Sequence, residues 1–317
     1  MAGRPSSERS AIGRASPLWV ALVVFVFGCS EPTDQATVSA EDAPAGPVVV
    51  YAVNYPLAYF AQAIGGDAVE THMPAPRGID PAAWSPDVDT IADFQRADLI
   101  LLNGAGYAAW VSRATLPPSR IVDTSAAFAD RYLRVDQAVT HTHGPEGEHE
   151  HGDVAFTTWL DPALASLQAA AIRDALIRLR SDREAEFMAA YDRLAADLAG
   201  FDDGYSASFA MLGGQPMIFS HPVYQYLTRR YGLNARSMHW EPDVPPSTAD
   251  IEALQTLLRS HPAKIMIWES DPLPETGQRL DAAGMKSIVF DPCANRPVQG
   301  DYLSCMRRNL AGLERLL

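Results

Sequence analysis

The chain predicts an α/β protein of two lobes, each built on a parallel sheet and joined by a long rigid helix. Three observations carry that prediction. Short β-branched runs alternate with helical stretches from Val48 to Asp123, and again from Pro216 to Phe290. Between them, from Asp161-Pro162 to Leu198, Ala, Leu and Ile recur at helical spacing instead. Strands buried on both faces read as unbroken apolar runs, and their alternation with helices marks parallel βαβ units.

Each element follows in order. Val48 to Val53 is a continuous β-branched strand. Pro56 to Ile64 reads as a helix closed by Gly65-Gly66, Val69 to Met73 as a strand, and Thr90 to Gln95 as a helix. Leu99 to Leu102 is a strand stopped by Asn103-Gly104, and Ile121 to Asp123 a fourth. Asp161 is placed to cap and Pro162 suits a first helical turn, so the long helices begin there. In the second half, Pro216 to Phe219, Ala263 to Trp268 and Ser287 to Phe290 read as strands. Pro222 to Tyr231, Thr248 to Ser260, Glu275 to Ala283 and Asp301 to Leu317 read as helices. The implied division is 48–160 for the first lobe, 161–204 for the helical segment with the linking helix, and 205–317 for the second lobe. No internal repeat is visible.

The beginning of the sequence reads as an export signal. Arg4, Arg9 and Arg14 precede an apolar run from Leu18 to Phe27. That run is shorter than the about 20 apolar residues a spanning helix needs. It ends in Gly28-Cys29, so residues 1–28 read as a lipoprotein signal peptide and Cys29 as the lipid-bearing residue. Residues 29–47, rich in Ala, Pro, Thr and acidic side chains, read as a flexible tether. An exported, membrane-anchored lipoprotein in the periplasm or on the cell surface is the expectation. In an oxidising compartment Cys293 and Cys305 form a disulfide by default, two buried free thiols being the alternative.

Charge and motif content narrow the function. A formal net charge of −14 argues against nucleic acid as a partner. No nucleotide-binding glycine loop and no Gly-x-Ser-x-Gly elbow is present. Thr157-Thr158 and Ser220-His221 pair a hydroxyl with its own neighbour, which seldom gives a working nucleophile and base. An enzyme is not expected.

The ordered motifs carry a resemblance. They are Gly78-Ile79-Asp80-Pro81, Ala97-Asp98-Leu99-Ile100-Leu101, a histidine-rich stretch, and Trp159-Leu160-Asp161-Pro162. Ser220-His221-Pro222, Trp268-Glu269, Asp291-Pro292, and Tyr302 with Met306 and Asn309 follow. This set resembles the zinc- and manganese-type solute-binding receptors of bacterial ABC importers, over essentially the whole chain after Cys29. The resemblance implies a bilobed, monomeric receptor that captures zinc, or less readily manganese, as its transported ligand and delivers it to an ABC permease. Two other readings stay open: the same scaffold serving another solute or sensing metal through its histidines, and a surface adhesin.

The resemblance also implies a cleft site of three histidines and a carboxylate, donors that suit such ions. Two of the four positions match, at His221 and Asp291. The other two fall on Ala82 and Thr157, neither of which is a useful donor. His221 otherwise reads as a polar histidine at a helix start, and Asp291 as a turn-forming residue. Further donor candidates are His141, His143, His149 and His151, interleaved with glutamates in the loop 140–152, a cation-binding composition. His239, Glu241 and Asp243 sit in a run that reads first as a surface turn and second as extra donors. Glu269 is placed to support His221 or to cap a helix. Trp84 and Trp159 read as packing, and His72 and His261 as structural or surface residues.

Overall fold

The computed structural model describes residues 46–135, 140–142, 148–150 and 154–317. The expected leader, Cys29, most of the tether, His143 and His151 lie outside the described residues.

The first sheet is parallel, in the order β2-β1-β3-β4. β1 (Val48–Ala52) alternates buried and half-buried residues and feeds α1 (Tyr55–Gly65), whose first turn is capped by the Asn54 side chain. β2 (Val69–His72) pairs with β1, and α2 (Val88–Arg96) leads into β3 (Leu99–Leu102). The turn after β3 passes through Gly104, with φ +76, where an added Cβ would fall 1.9 Å from Ser125 Oγ. Only glycine fits that turn. β4 (Ile121–Asp123) completes the sheet. The histidine-rich stretch contains a short antiparallel pair, β5 (Thr140–Thr142) and β6 (Glu148–Glu150), in which His141 stands opposite His149.

Two long helices follow. α3 (Pro162–Leu179) is capped by Asp161, whose Oδ1 accepts from the amides of Ala163 and Leu164. α4 (Glu184–Met211) runs well past the Leu198 at which the sequence pattern faded. Phe201, Tyr205 and Phe209 continue its buried stripe at four-residue spacing. Gly204 in that segment lies so close to α8 (Tyr302–Glu314) that an added Cβ would meet Leu310 at 2.7 Å. Gly200 and Gly204 therefore lie within the helix, Gly204 allowing the two helices to approach.

The second sheet has the order β10-β9-β7-β8, again all parallel. β7 (Met217–Phe219) and β9 (Ile265–Trp268) form its fully buried centre, while β8 (Ala235–Ser237) and β10 (Lys286–Val289) lie at the edges. Around it pack α5 (Gln225–Tyr231), α6 (Thr248–Ser260), α7 (Pro274–Ala282) and the closing α8. α6 begins with a reciprocal capping box between Ser247 and Asp250. α5 starts at Gln225 rather than at Pro222, because residues 220 to 224 form a loop at the end of β7.

Both sheets belong to one compact unit. Bonds between the halves are specific: Trp159 Nε1 donates to Pro292 O at 2.7 Å, Tyr55 N to Ala294 O at 2.9 Å, and the Asn295 amide to Pro76 O and Ile79 O. The Trp-Leu-Asp-Pro motif thus supplies a buried anchor, Trp159, and a helix cap, Asp161. No described helix is long and apolar enough to cross a membrane.

Candidate metal centre

In open parallel sheets ligands bind beyond the carboxyl ends of the strands. In the second sheet all four of those ends carry chemistry. Asp291 follows β10, Glu269 follows β9, His221 follows β7, and His239 with Glu241 follows β8.

His221 is the buried centre of this row, 3 % exposed. Its Nδ1 lies 3.0 Å from Glu269 Oε1, and its Nε2 lies 3.8 Å from Glu241 Oε1. The His239 ring stands edge-on to it with centroids 6.2 Å apart. Glu269 therefore supports His221, one of the two roles read from its place at a strand end.

The run 238–243 divides: Pro242-Asp243 form the turn its sequence suggests, whereas 238–241 do not. Met238 N donates to Phe219 O and Trp240 N to Ser220 O, both at 2.8 Å, so the chain stays beside β7 past the end of β8. Trp240 is buried against Trp268, with centroids 6.2 Å apart. Of the three donor candidates there, His239 and Asp243 are exposed and Glu241 is half-buried. The imidazole of His239 sits at the exposed mouth, its pKa lowered first by partial desolvation and then by the neighbouring His221, against the pull of Glu241.

Asp291 is shaped by its turn. Its Oδ1 accepts the Cys293 amide at 2.6 Å, while its own backbone is clasped by Asn309, which accepts from Asp291 N and donates to Asp291 O. Burial raises the carboxyl above the ordinary aspartate value despite those bonds, and Glu269 adds to the rise. Cys293 occupies the left-handed region, φ 57, at the end of that turn. The sequence led to the expectation of a disulfide here. The structure instead holds Cys293 and Cys305 as two neighbouring buried free thiols. That contact and burial push the Cys293 thiol far above its usual range.

At the corresponding edge of the first sheet, the residues that follow β1 and β3 join a buried network of uncharged side chains. Asn54 donates to Asn103 Oδ1 at 3.2 Å, Asn103 to Phe156 O at 2.8 Å, and Gln168 to both Asn103 Oδ1 and Thr124 Oγ1. All four side chains are buried. Their amides and hydroxyls satisfy one another, which suits a site without an ion. Thr157 is buried next to this network and donates to Val223 O, across the halves, at 2.5 Å. Ala82 lies in the turn after Asp80, its amide bonded to Asp80 Oδ1 at 2.9 Å. The network was missed in the sequence because isolated Asn, Gln and Thr carry no spacing signal.

Other histidines have structural places. His261 is buried with Nε2 3.0 Å from Met217 O, and His72 stacks on Tyr51 and meets Glu70. Trp84 packs half-buried on the core. Among the described residues, no three His, Cys, Asp or Glu side chains stand close enough to hold an ion without adjustment.

The match to known proteins is decisive for ancestry. Residues 50–316 match the family described as zinc-uptake complex component A, periplasmic. The chain belongs to this family. It is similar to the high-affinity zinc uptake system protein ZnuA of Bacillus subtilis, 23% identical over 310 residues and covering 93% of this chain and 94% of that protein. It is also similar to ZnuA of Yersinia pestis, 23% identical, covering 80% of this chain and 89% of that one. Among solved structures, the metal-dependent lipoprotein YcdH of Bacillus subtilis superposes with a TM-score of 0.71 at 22% identity, over 84% of this chain and 97% of that one. The Zn(II)-bound ZnuA-like domain of Streptococcus pneumoniae AdcA gives 0.72 at 19%, over 85% and 98%. The two parallel sheets and the long helix are the architecture that the sequence predicted.

Proposed function

We propose that this protein is an extracytoplasmic receptor that binds a zinc-type metal ion and delivers it to an ABC permease. The observation that carries the reading is His221, a nearly fully buried imidazole oriented by Glu269 in a chain of this family. Ligating histidines are commonly held in this way, one ring nitrogen on a carboxylate and the other on the ion. The relatives named for zinc uptake support zinc as the cargo; the donor types alone do not distinguish it from manganese.

In this reading Cys29 carries a lipid that tethers the receptor outside the cytoplasmic membrane, and the lobes divide at 48–160 and 205–317. Asp291 lies beside the ion. Cys293 and Cys305 close as a disulfide in the oxidising compartment. The histidines 141, 143, 149 and 151 gather ions weakly and exchangeably near the cleft. The chain binds and releases; it catalyses nothing.

Equilibrium dialysis of the purified full chain against buffered zinc and, separately, manganese tests the reading. One tightly retained zinc ion per chain is expected. Retention of neither ion at micromolar free metal would refute it.

A further inference from the structure

The turn that carries Asp291 is tied to three neighbouring elements. Phe290 O accepts from Tyr224 Oη at 2.7 Å, and Pro292 O from Trp159 Nε1 at 2.7 Å. Asn309 on α8 holds Asp291 N at 2.9 Å and Asp291 O at 2.8 Å. At Cys293 the hold passes through the carboxylate itself. The Cys293 amide donates to Asp291 Oδ1 at 2.6 Å, and its backbone stands at φ 57, which a residue with a Cβ adopts at a cost.

Cys305 lies one helical turn before Asn309, on the same face of α8. Both cysteines are buried, at 2 % and 0 % exposure. The Cys305 thiol donates to Asp291 O, with Sγ 3.8 Å away. The reduced pair therefore sets an S–H donor against Asp291 and leaves the Cys293 side chain without a bond to the helix.

Bridging the pair changes both. One S–S bond forms and two S–H bonds break, and the two hydrogens with their electrons pass to an outside disulfide, which leaves as two thiols. The S–H beside Asp291 is then gone. The turn is fixed to one face of α8 at both ends, by Asn309 at Asp291 and by the bridge at Cys293. A carboxylate held in one orientation before the ion arrives lowers the ordering cost of binding.

We propose that Cys293 and Cys305 are positioning residues for Asp291, and that bridging them tightens zinc binding. This rests on the receptor reading with Asp291 beside the ion. Bridging and binding are then reciprocally linked. Each tenfold gain in zinc affinity on oxidation lowers the reduction potential of the bridge by about 30 mV.

The test uses the full chain with zinc alone, its affinity read by competition with a chromophoric chelator, in the oxidised form and after reduction with a phosphine. The oxidised chain should bind zinc about 10- to 100-fold more tightly. Cys305→Ser should match the reduced chain under both conditions. Asp291→Asn keeps an acceptor for the Cys293 amide but removes the charge, so it should bind more weakly and show no difference between the two forms. Melting curves without zinc check that each variant is folded. The potential of the bridge at saturating zinc should fall by about 30–60 mV, a shift that a bridge serving stability alone would not show. Equal zinc affinity in the oxidised and reduced wild-type chain, or a redox difference that persists in Asp291→Asn, would overturn the positioning role and leave the receptor reading standing. A wild-type chain that binds no zinc in either form would overturn both.

Discussion

Glu269 Oε1 lies 3.0 Å from His221 Nδ1, on the side of the ring away from the Nε2 that lies 3.8 Å from Glu241. This carboxylate–imidazole pair joins the ends of two adjacent buried strands, β9 and β7. The Trp268 and Phe219 side chains before them are fully or nearly fully buried, which leaves the pair little freedom to drift.

Loss of that support should be felt at the metal without loss of fold. Glu269→Gln keeps the shape and removes the charge that makes the imidazole a stronger donor. A drop of about 10- to 100-fold in zinc affinity is expected in chelator competition, with an unchanged melting temperature in the metal-free chain. Unaltered affinity would show that Glu269 serves only the loop.

Thr157 does a different job from the donor that its place in the motif implied. Its hydroxyl ties the first half to Val223 O, two residues beyond His221. Thr157→Val leaves that carbonyl without its partner and should cost about 1 kcal/mol of stability in urea unfolding. Zinc affinity should change by no more than about twofold, since only a lost bond of that size, not a lost ligand, is involved. A collapse of zinc binding in this variant would place Thr157 on the ion.

A second ion pair predicts an acid-sensitive term. Burial raises the Asp202 carboxyl, but the bonds from Arg230 and Tyr231 outweigh it, and its pKa is lowered overall. An aspartate with a depressed folded pKa stabilises above its ordinary value near 3.9, and that stability is lost as pH falls through the lower folded value. Asp202→Asn should therefore cost about 1 kcal/mol at neutral pH, the pair being partly in water. The difference from wild type should shrink as pH falls below the ordinary aspartate value near 3.9. Equal stability of the two proteins at pH 7 would contradict the pairing.

The two thiols sit ready for oxidation. Mild oxidation of the full chain should join Cys293 to Cys305, seen as a cross-linked peptide by mass spectrometry. The closed loop should then resist thermal unfolding, by about 3 kcal/mol on the loop-entropy estimate. Alkylation of both cysteines after oxidation would show that they do not pair.

Much of the fold was legible because burial on both faces leaves a strong local signature. Leu99-Ile100-Leu101-Leu102 and Ile121-Val122-Asp123 have the limits that their apolar runs mark. β8 was not legible: Ala235-Arg236-Ser237 is a half-exposed edge strand with no apolar run. The site divides in the same way. His221 and Asp291 stand in local motifs and were found from them. The approach of His239 and Glu241 depends on Trp240 reaching Ser220 O, a tertiary bond with no trace in residue spacing. The helix α4 was followed only to Leu198, although Phe201, Tyr205 and Phe209 keep its buried stripe running past Gly200 and Gly204.

The most direct measurement of the central claim is a zinc titration by calorimetry on the chain lacking residues 140–152, with and without His221→Ala. A single tight, one-to-one site that survives the deletion and disappears with His221→Ala is the predicted result. Zinc heat that disappears with the deletion alone would contradict the account, because the sheet edge would then hold no ion.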